Sequence, residues 1–348
     1  MEKKLITIVH HNLSYKSGEG KVVFTAIDVI KDHKIDFTIA TFSKPENEYG
    51  LPIKYFLPFH FSKFDRYQRI FVYFVASKIY SRIYLNLAGS PIPLSKKGIH
   101  IIYTGSSPFS VTKYSRSLFW KVYRMPYKLF LGLMKDEYKR AKIIANSYYS
   151  AKVLADQYGI QPKVIYPPVE YEKFNKAFHE NNDGYILTIA RIERGKFLER
   201  VIEVSSKTKL PAVIVGYLND KKYLIELEKI AKQKNAKILI LTNKTEDELI
   251  EIMSKACCYF HPTEGEHFGI PVVEAMSAGL VPIVPRESGA SELVPEFSYT
   301  TIDEASQKIL EIKNIPLSKR KELSEKSKFF STERFKRELW EYISNFLN

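Results

Sequence analysis

The chain has 348 residues, 45% of them hydrophobic and 26% charged, and a net charge of +14. One hydrophobic core rarely grows beyond about 250–300 residues, so two domains are expected, and the balanced composition excludes a disordered, collagenous or disulfide-scaffold chain. The charge is uneven: residues 1–168 hold 26 Lys/Arg against 11 Asp/Glu, and the remainder 27 against 28.

From the start, "LITIVHHNLSYKSGEGKVVFTAIDVIKDHKIDFTIATF" reads as a strand, a glycine-containing loop, an amphipathic helix and a second strand, a βαβ opening. The apolar run Leu5 to Val9 is shorter than the roughly 7–15 residues of a signal-peptide core. No run approaches the roughly 18 apolar residues of a membrane span, so a cytoplasmic protein without an anchor helix is expected. Residues 51–135 carry 14 basic residues, the single acid Asp65 and 19 of the 47 aromatics, which marks a surface facing something anionic, apolar or both. From "FSKFDRYQRIFVYFVASKIYSRIY" to "SRSLFWKVYRMPYKLFLGLMKDEYKRAK" the chain reads as helical on both sides of one short strand, "GIHIIYTG". Within it, Lys121, Arg124, Lys128 and Lys135 recur at helical spacing opposite Leu118, Val122, Met125, Leu129 and Leu133, a pattern suited to an anionic membrane interface or to a core helix with a solvated basic face. Two more short strands, "AKIIANS" and "PKVIYPPV", flank the helix "SYYSAKVLADQYG", which is predicted to stop at Gly159.

Pro167, Pro168 and the polar run that follows read as a linker, 169–182. Five short apolar runs then alternate with four helical patterns, from "GYILTIA" to "LVPIVP". Such alternation predicts a parallel sheet covered on both faces, hence a second doubly wound domain at 183–330 beside a first at 1–168 plus 331–348. Ligands of such sheets sit at the carboxyl ends of the strands. The only cysteines, Cys257 and Cys258, are adjacent, which gives neither a disulfide framework nor a metal spacing and reads as two small residues of a buried strand in a reducing compartment.

The most informative stretch is "EHFGIPVVEAMSAG", residues 266–279. A helix is predicted to open near Ile270, with Pro271 in its first turn, and to close before Gly279. A helix start beside Gly269 offers free backbone N–H groups and a partial positive charge, which suit a phosphate. Glu266 stands just before those donors and Glu274 one turn inside. Carboxylates next to an anion site have to be aimed at neutral parts of the ligand, and hydroxyls are what they can hold. A diphosphate flanked by two polyols, that is a sugar nucleotide, uses all of these groups. Taken without context, Glu274 merely complements the helix dipole and Glu266 is a solvated loop residue.

"EHFGIPVVEAM" resembles the E-x7-E motif of family-4 glycosyltransferases of the GT-B fold, and its wording is similar to that of mannosyltransferases acting on lipid-linked oligosaccharides. The resemblance continues through "IARIERGKFLERVIEV", "VIVGY", "TNKTEDELIEIMSKACCYFHPTEGE" and "RESGASELV", and covers most of residues 135–348. It implies two Rossmann-like α/β domains facing across a cleft, with the C-terminal helix crossing back to the first. It implies that Arg191 and Lys196 grip the donor diphosphate, that Glu266 and the Phe268-Gly269 backbone hold the transferred sugar, that Ile270 belongs to the donor site, and that Glu274 binds ribose. Gly216, Thr242 and Asn243 fall where the family's nucleotide-lining loops run, and Gly18 and Gly20 resemble its glycine loop near the donor phosphates. Where relatives carry an acceptor-side histidine this chain has Gly105 or Ser106; His100 and His10 are nearby. The family's retaining mechanism, in which the leaving phosphate accepts the acceptor's proton, requires neither a protein base nor a metal. The expected partners are a nucleotide sugar, with GDP-mannose the first choice and a UDP-sugar the alternative, a lipid-linked or polysaccharide acceptor, and an anionic membrane surface met through residues 51–135 at the inner face of the cell membrane. No cofactor and no nucleic acid are expected. A glycosidase also uses paired carboxylates, but it leaves Arg191 and Lys196 without a task. A basic nucleic-acid-binding protein is the reading from another class. A dinucleotide oxidoreductase is disfavoured, since no G-x-G-x-x-G follows the first strand.

Overall fold

The computed structural model describes residues 4–14, 18–61, 64–105, 125–126, 130, 134, 136–180 and 183–347. The chain forms two compact units, one of Met1–Pro168 with Thr332–Asn348, the other of Val169–Ser331.

In the first unit seven strands lie in the order β3-β2-β1-β4-β5-β6-β7. They are β1 (Lys4–Val9), β2 (Phe37–Ser43), β3 (Ile53–Leu57), β4 (Ser81–Asn86), β5 (Ile99–Thr104), β6 (Lys142–Ala145) and β7 (Lys163–Val164). All neighbouring pairs are parallel. The central strands are covered on both faces and are accordingly rich in Ile, Leu and Val, with Ile6, Ile8, Ile83 and Leu85 fully buried. The order reverses direction at β1, between β2 and β4, which is the topological switch point of this sheet. The helix Thr332–Ser344 packs on this unit, adding Phe335, Leu339 and Ile343 to the core that the Gly18–Asp32 helix builds on β1, β2, β4 and β5. Trp340 stacks on His33 with ring centroids 3.5 Å apart.

The second unit has six parallel strands in the order β10-β9-β8-β11-β12-β13. They are β8 (Tyr185–Ile189), β9 (Ala212–Gly216), β10 (Ile238–Thr242), β11 (Ala256–Phe260), β12 (Val281–Pro285) and β13 (Ser298–Tyr299). Local chemistry sets several helix ends. Thr245 and Glu248 form a reciprocal capping box at the start of the Glu246–Met253 helix. In the first unit, Ser147 caps Tyr148–Tyr158, which ends on Gly159 in the left-handed conformation that glycine favours.

Three sequence expectations need amendment. Among the described residues, the stretch read as helical before "GIHIIYTG" contains only short helices, Asp65–Phe71 and Tyr73–Ala76, and its end supplies the start of β4. "SRIYLN" pairs with β1 and buries both its faces, so tertiary burial overrides a helix-like local pattern. Gly18 and Gly20 do not form a loop: Gly18 opens the first helix and Gly20 is buried in its first turn. The segment read as a linker carries a helix, Tyr171–Asn175, whose Tyr171 and Phe174 are buried. Asn175 donates to the Ser277 carbonyl, and the buried Arg320 guanidinium donates to the carbonyls of Gly279, His179 and Glu180, so that segment is stitched onto the second unit. Among the described residues no helix is long and apolar enough to cross a membrane. Cys257 and Cys258 are buried in β11 with free thiols. Lys121, Arg124, Lys128, Lys135, Leu118, Val122, Leu129, Leu133 and Ser106 lie outside the described residues.

Candidate functional site

The switch point of the second sheet lies between β8 and β11, and the carboxyl ends of these strands carry the residues singled out above. β11 runs into a loop, residues 261–269, followed by the helix Ile270–Ser277 with Pro271 in its first turn. Gly269 is the N-cap with φ 93°, a left-handed conformation in which a side chain is strained. The loop is held at several points. Arg200 donates to the Pro262 carbonyl at 3.1 Å and to the Glu264 carboxylate at 2.6 Å. The Gly265 N–H donates to the Glu287 carbonyl, and that of Gly289 to the Glu266 carbonyl at 2.6 Å. At Gly289 any Cβ would collide with the His267 carbonyl, so only glycine permits this approach. Phe268 is buried against Phe330, with ring centroids 5.5 Å apart, which leaves its backbone rather than its ring for a ligand.

Lys196 ends a short 3-10 turn, Arg194–Lys196, after β8. Its ammonium lies 2.9 Å from Glu266 Oε2, and each of the two side chains is 21% exposed. His261, the residue after β11, stands 3.7 Å from the same Glu266 Oε2 through Nε2. Burial works to raise the Glu266 carboxyl, but Lys196 first and the neighbouring His261 and His267 next bring it well below the ordinary range. Burial brings His261 down to about 4, against the pull of Glu266 and with the help of the Lys196 charge. The pair is therefore a carboxylate beside a neutral imidazole near neutral pH. His261 Nδ1 is 3.2 Å from the Tyr259 hydroxyl. That phenol is held far above its usual range by burial and then by Glu274 and Glu266, so both carboxylates of the motif act on one buried group. Glu274 itself is buried, 5% exposed, on the second turn of the helix.

Arg191 is 53% exposed and pairs with Glu193 at 3.1 Å. Gly216 closes β9 against the backbone of Ala190 and Arg191, where a Cβ would collide with the Ala190 carbonyl. The Asn243 N–H, with φ 54°, donates to the Gly216 carbonyl at 3.2 Å just beyond Thr242. Arg191, Gly216, Thr242 and Asn243 thus sit at the carboxyl ends of three adjacent strands, while Lys196, Glu266, Phe268, Gly269, Ile270 and Glu274 gather around the helix start. His261, Arg200 and Gly289 were not singled out from sequence. A histidine closing a strand directly before a proline, in "CCYFHP", was the available signal for the first.

In the first unit, Gly105 follows β5 and its carbonyl accepts from the Ser150 hydroxyl. His100 is a satisfied strand histidine, bonded to Glu137 at 2.7 Å and near Asn86. His10 follows β1 directly and is 3% exposed. Anion-binding donors at a helix start, one ammonium set on a carboxylate, and a second carboxylate buried behind them can hold an anionic group joined to a polyol.

Residues 169–329, nearly the whole second unit, match the family Glycosyl transferases group 1. The chain is 25% identical over 230 residues to the alpha-1,3/1,6-mannosyltransferase ALG2 of Kluyveromyces lactis, covering 52% of this chain and 44% of that one. It is 24% identical over 269 residues to the GDP-Man:Man(3)GlcNAc(2)-PP-Dol alpha-1,2-mannosyltransferase of Dictyostelium discoideum, covering 67% and 52%. It therefore spans about half the length of these curated relatives. Among solved structures, the sucrose-phosphate synthase of Thermosynechococcus elongatus superposes with a TM-score of 0.77 at 14% identity, covering 99% of each chain. Anabaena Alr3699/HepE, solved with UDP and glucose, gives 0.73 at 15% identity, covering 98% of this chain and all of that one. The chain has the GT-B fold, its second unit matches the group 1 glycosyl transferases, and its sequence is similar to those of mannosyltransferases.

Proposed function

We propose that the protein transfers a hexose from a nucleotide sugar to a lipid-linked or polysaccharide glycan, with retention of anomeric configuration and GDP-mannose as donor. The observation that carries this reading is the Lys196–Glu266 contact at the start of the Ile270–Ser277 helix, which joins an anion-binding group to a hydroxyl-binding one. In this reading Lys196 and the helix start meet the donor phosphates, with Arg191 swinging from Glu193 to assist. Lys196 then stabilises the charge that builds on the leaving nucleoside diphosphate. Glu266, freed from its counter-ion, accepts hydrogen bonds from the transferred sugar, and Glu274 accepts from the ribose. The bond from the anomeric carbon to phosphate breaks as the bond to the acceptor oxygen forms on the same face. The acceptor's proton passes to the leaving phosphate. The step needs no metal and no other cofactor. The mannose donor rests on the names of the curated relatives, one of which states GDP-Man.

Thermal shift with GDP-mannose, GDP-glucose, UDP-glucose and UDP-galactose tests the donor, with GDP-mannose expected to give the largest rise. A larger rise with a UDP-sugar overturns the choice of base, and no rise with any of them overturns the reading. NMR of the product's one-bond C1–H1 coupling at the anomeric centre tests retention. The first unit is read as docking on the inner face of the cell membrane through residues 51–135, where Tyr55, Phe56, Phe59, Phe64, Phe74 and Tyr80 are exposed. Co-sedimentation with anionic vesicles at low salt is expected, and its absence refutes docking.

A further inference from the structure

At the switch point of the first sheet, apart from the residues used above, β1 runs directly into His10 and His11. Both histidines are 3% exposed, and their rings are 4.4 Å apart. Each ring has one nitrogen engaged and one free. His10 Nδ1 contacts the Asn12 carbonyl, and His11 Nε2 lies 2.6 Å from the Asp65 carboxylate. The remaining nitrogens, His10 Nε2 and His11 Nδ1, are buried with no hydrogen-bond partner among the described residues. The Glu19 carboxylate closes the group, with Oε2 3.9 Å from His10 Nε2, and one ligand atom from each of the three residues lies within 4.8 Å of the others.

An unpaired buried nitrogen is costly, and two on adjacent rings beside a carboxylate form a donor set rather than an accident of packing. We propose that His10, His11 and Glu19 form a binding site for a divalent transition metal ion of the zinc class. Metal-binding histidines are held by a backbone carbonyl or a carboxylate on the nitrogen turned away from the metal, the pattern seen here at Asn12 and Asp65. Two imidazoles and one carboxylate suit Zn2+, Co2+ or Ni2+ rather than Mg2+ or Ca2+. Bonds of about 2.1 Å in a tetrahedral site place ligand atoms roughly 3.4 Å apart, so a modest rotation of the half-exposed Glu19 closes the set. Arg69 does not oppose the cation. It pairs with Asp65 at 2.9 Å and with Glu19 Oε2 at 2.6 Å, so two carboxylates outweigh its charge. Three protein ligands leave a coordination position for water or a ligand oxygen.

The test uses the full chain stripped with chelator and titrated with Co2+, read by visible absorption, and with Zn2+, read by equilibrium dialysis. One ion per chain is expected, with the Co2+ spectrum of a nitrogen–oxygen site. Glu19→Gln, a change on an exposed side chain that the fold tolerates, is expected to weaken binding at least tenfold, and His11→Gln more. Asp65→Asn, acting through the His11 ring and the Arg69 pair, is expected to cost about 10–100-fold. No bound ion overturns the proposal, as does binding that Glu19→Gln and His11→Gln both leave unchanged. Neither result touches the donor site of the second unit, whose own test is the thermal shift.

Discussion

The Lys196–Glu266 contact is open to a double-mutant cycle. At 2.9 Å, opposite charges attract by roughly 6 kcal/mol at an effective dielectric constant near 20. Each side chain keeps about a fifth of its surface in water, and bringing both charges together costs desolvation, so the net coupling reduces to about 1–2 kcal/mol. Lys196→Met is the costlier single change, because it strands a carboxylate on an anchored loop, whereas Glu266→Gln frees a lysine that can reach water. For a unit of this size the expected loss in Lys196→Met corresponds to a fall in Tm of roughly 2–8 °C, of which Glu266→Gln added to it returns a large part. The assay is thermal and urea unfolding of wild type, both singles and the double at pH 7, with transfer activity measured in parallel. Both singles and the double are expected to lack transfer. Single effects that add to within about 0.3–0.5 kcal/mol refute the coupling, and near-normal turnover in either single refutes the roles in transfer.

Three further outcomes are expected. His261 has a folded value brought from 6.5 to about 4, so its neutral form stabilises the fold fully above pH 6.5, and that contribution, up to about 3 kcal/mol, is lost as pH falls towards 4. His261→Asn should make the fall in stability between pH 6.5 and 4 shallower in urea unfolding, and an unchanged slope refutes the assignment. Gly289→Ala should drive the His267 carbonyl aside and raise the donor KM at least tenfold while circular dichroism is retained; wild-type KM contradicts the packing described here. Gly269→Ala places a side chain at φ 93° and should cost about 1–2 kcal/mol, read as a lower midpoint in urea.

The motif helix was legible because its bounds are local. Pro271 fits a first turn and Gly279 ends the run, and neither depends on the rest of the chain. The alternation of the second unit was legible for the same reason, since each of its main strands is a short apolar run and three of its helices carry side-chain caps, at Asp220, Thr245 and Thr301. In contrast, β4 shares residue types with a helix, and only burial between β1 and β5 decides its state. Gly18 and Gly20 signalled a turn, yet a helix can begin on glycine when Val22, Val23 and Phe24 pull the following turn into the core. The contacts that hold the site lie furthest from view. Lys196 and Glu266 are seventy positions apart, and the support of the loop by Arg200 spans more than sixty. His261 acquires its environment only where β11 meets that loop. A sequence motif names the groups that touch a ligand more readily than the groups that aim them.

The core of the first unit takes Phe335, Leu339 and Ile343 from a helix that follows the entire second unit in the chain. During synthesis the first sheet therefore leaves the ribosome with part of its apolar surface bare, and it stays so while Val169–Ser331, one uninterrupted stretch, is able to fold. Completion of the earlier unit waits on the later one. An expressed fragment of residues 1–168 should need a chaperone or aggregate, whereas a fragment of residues 169–331 carries all of its own sheet.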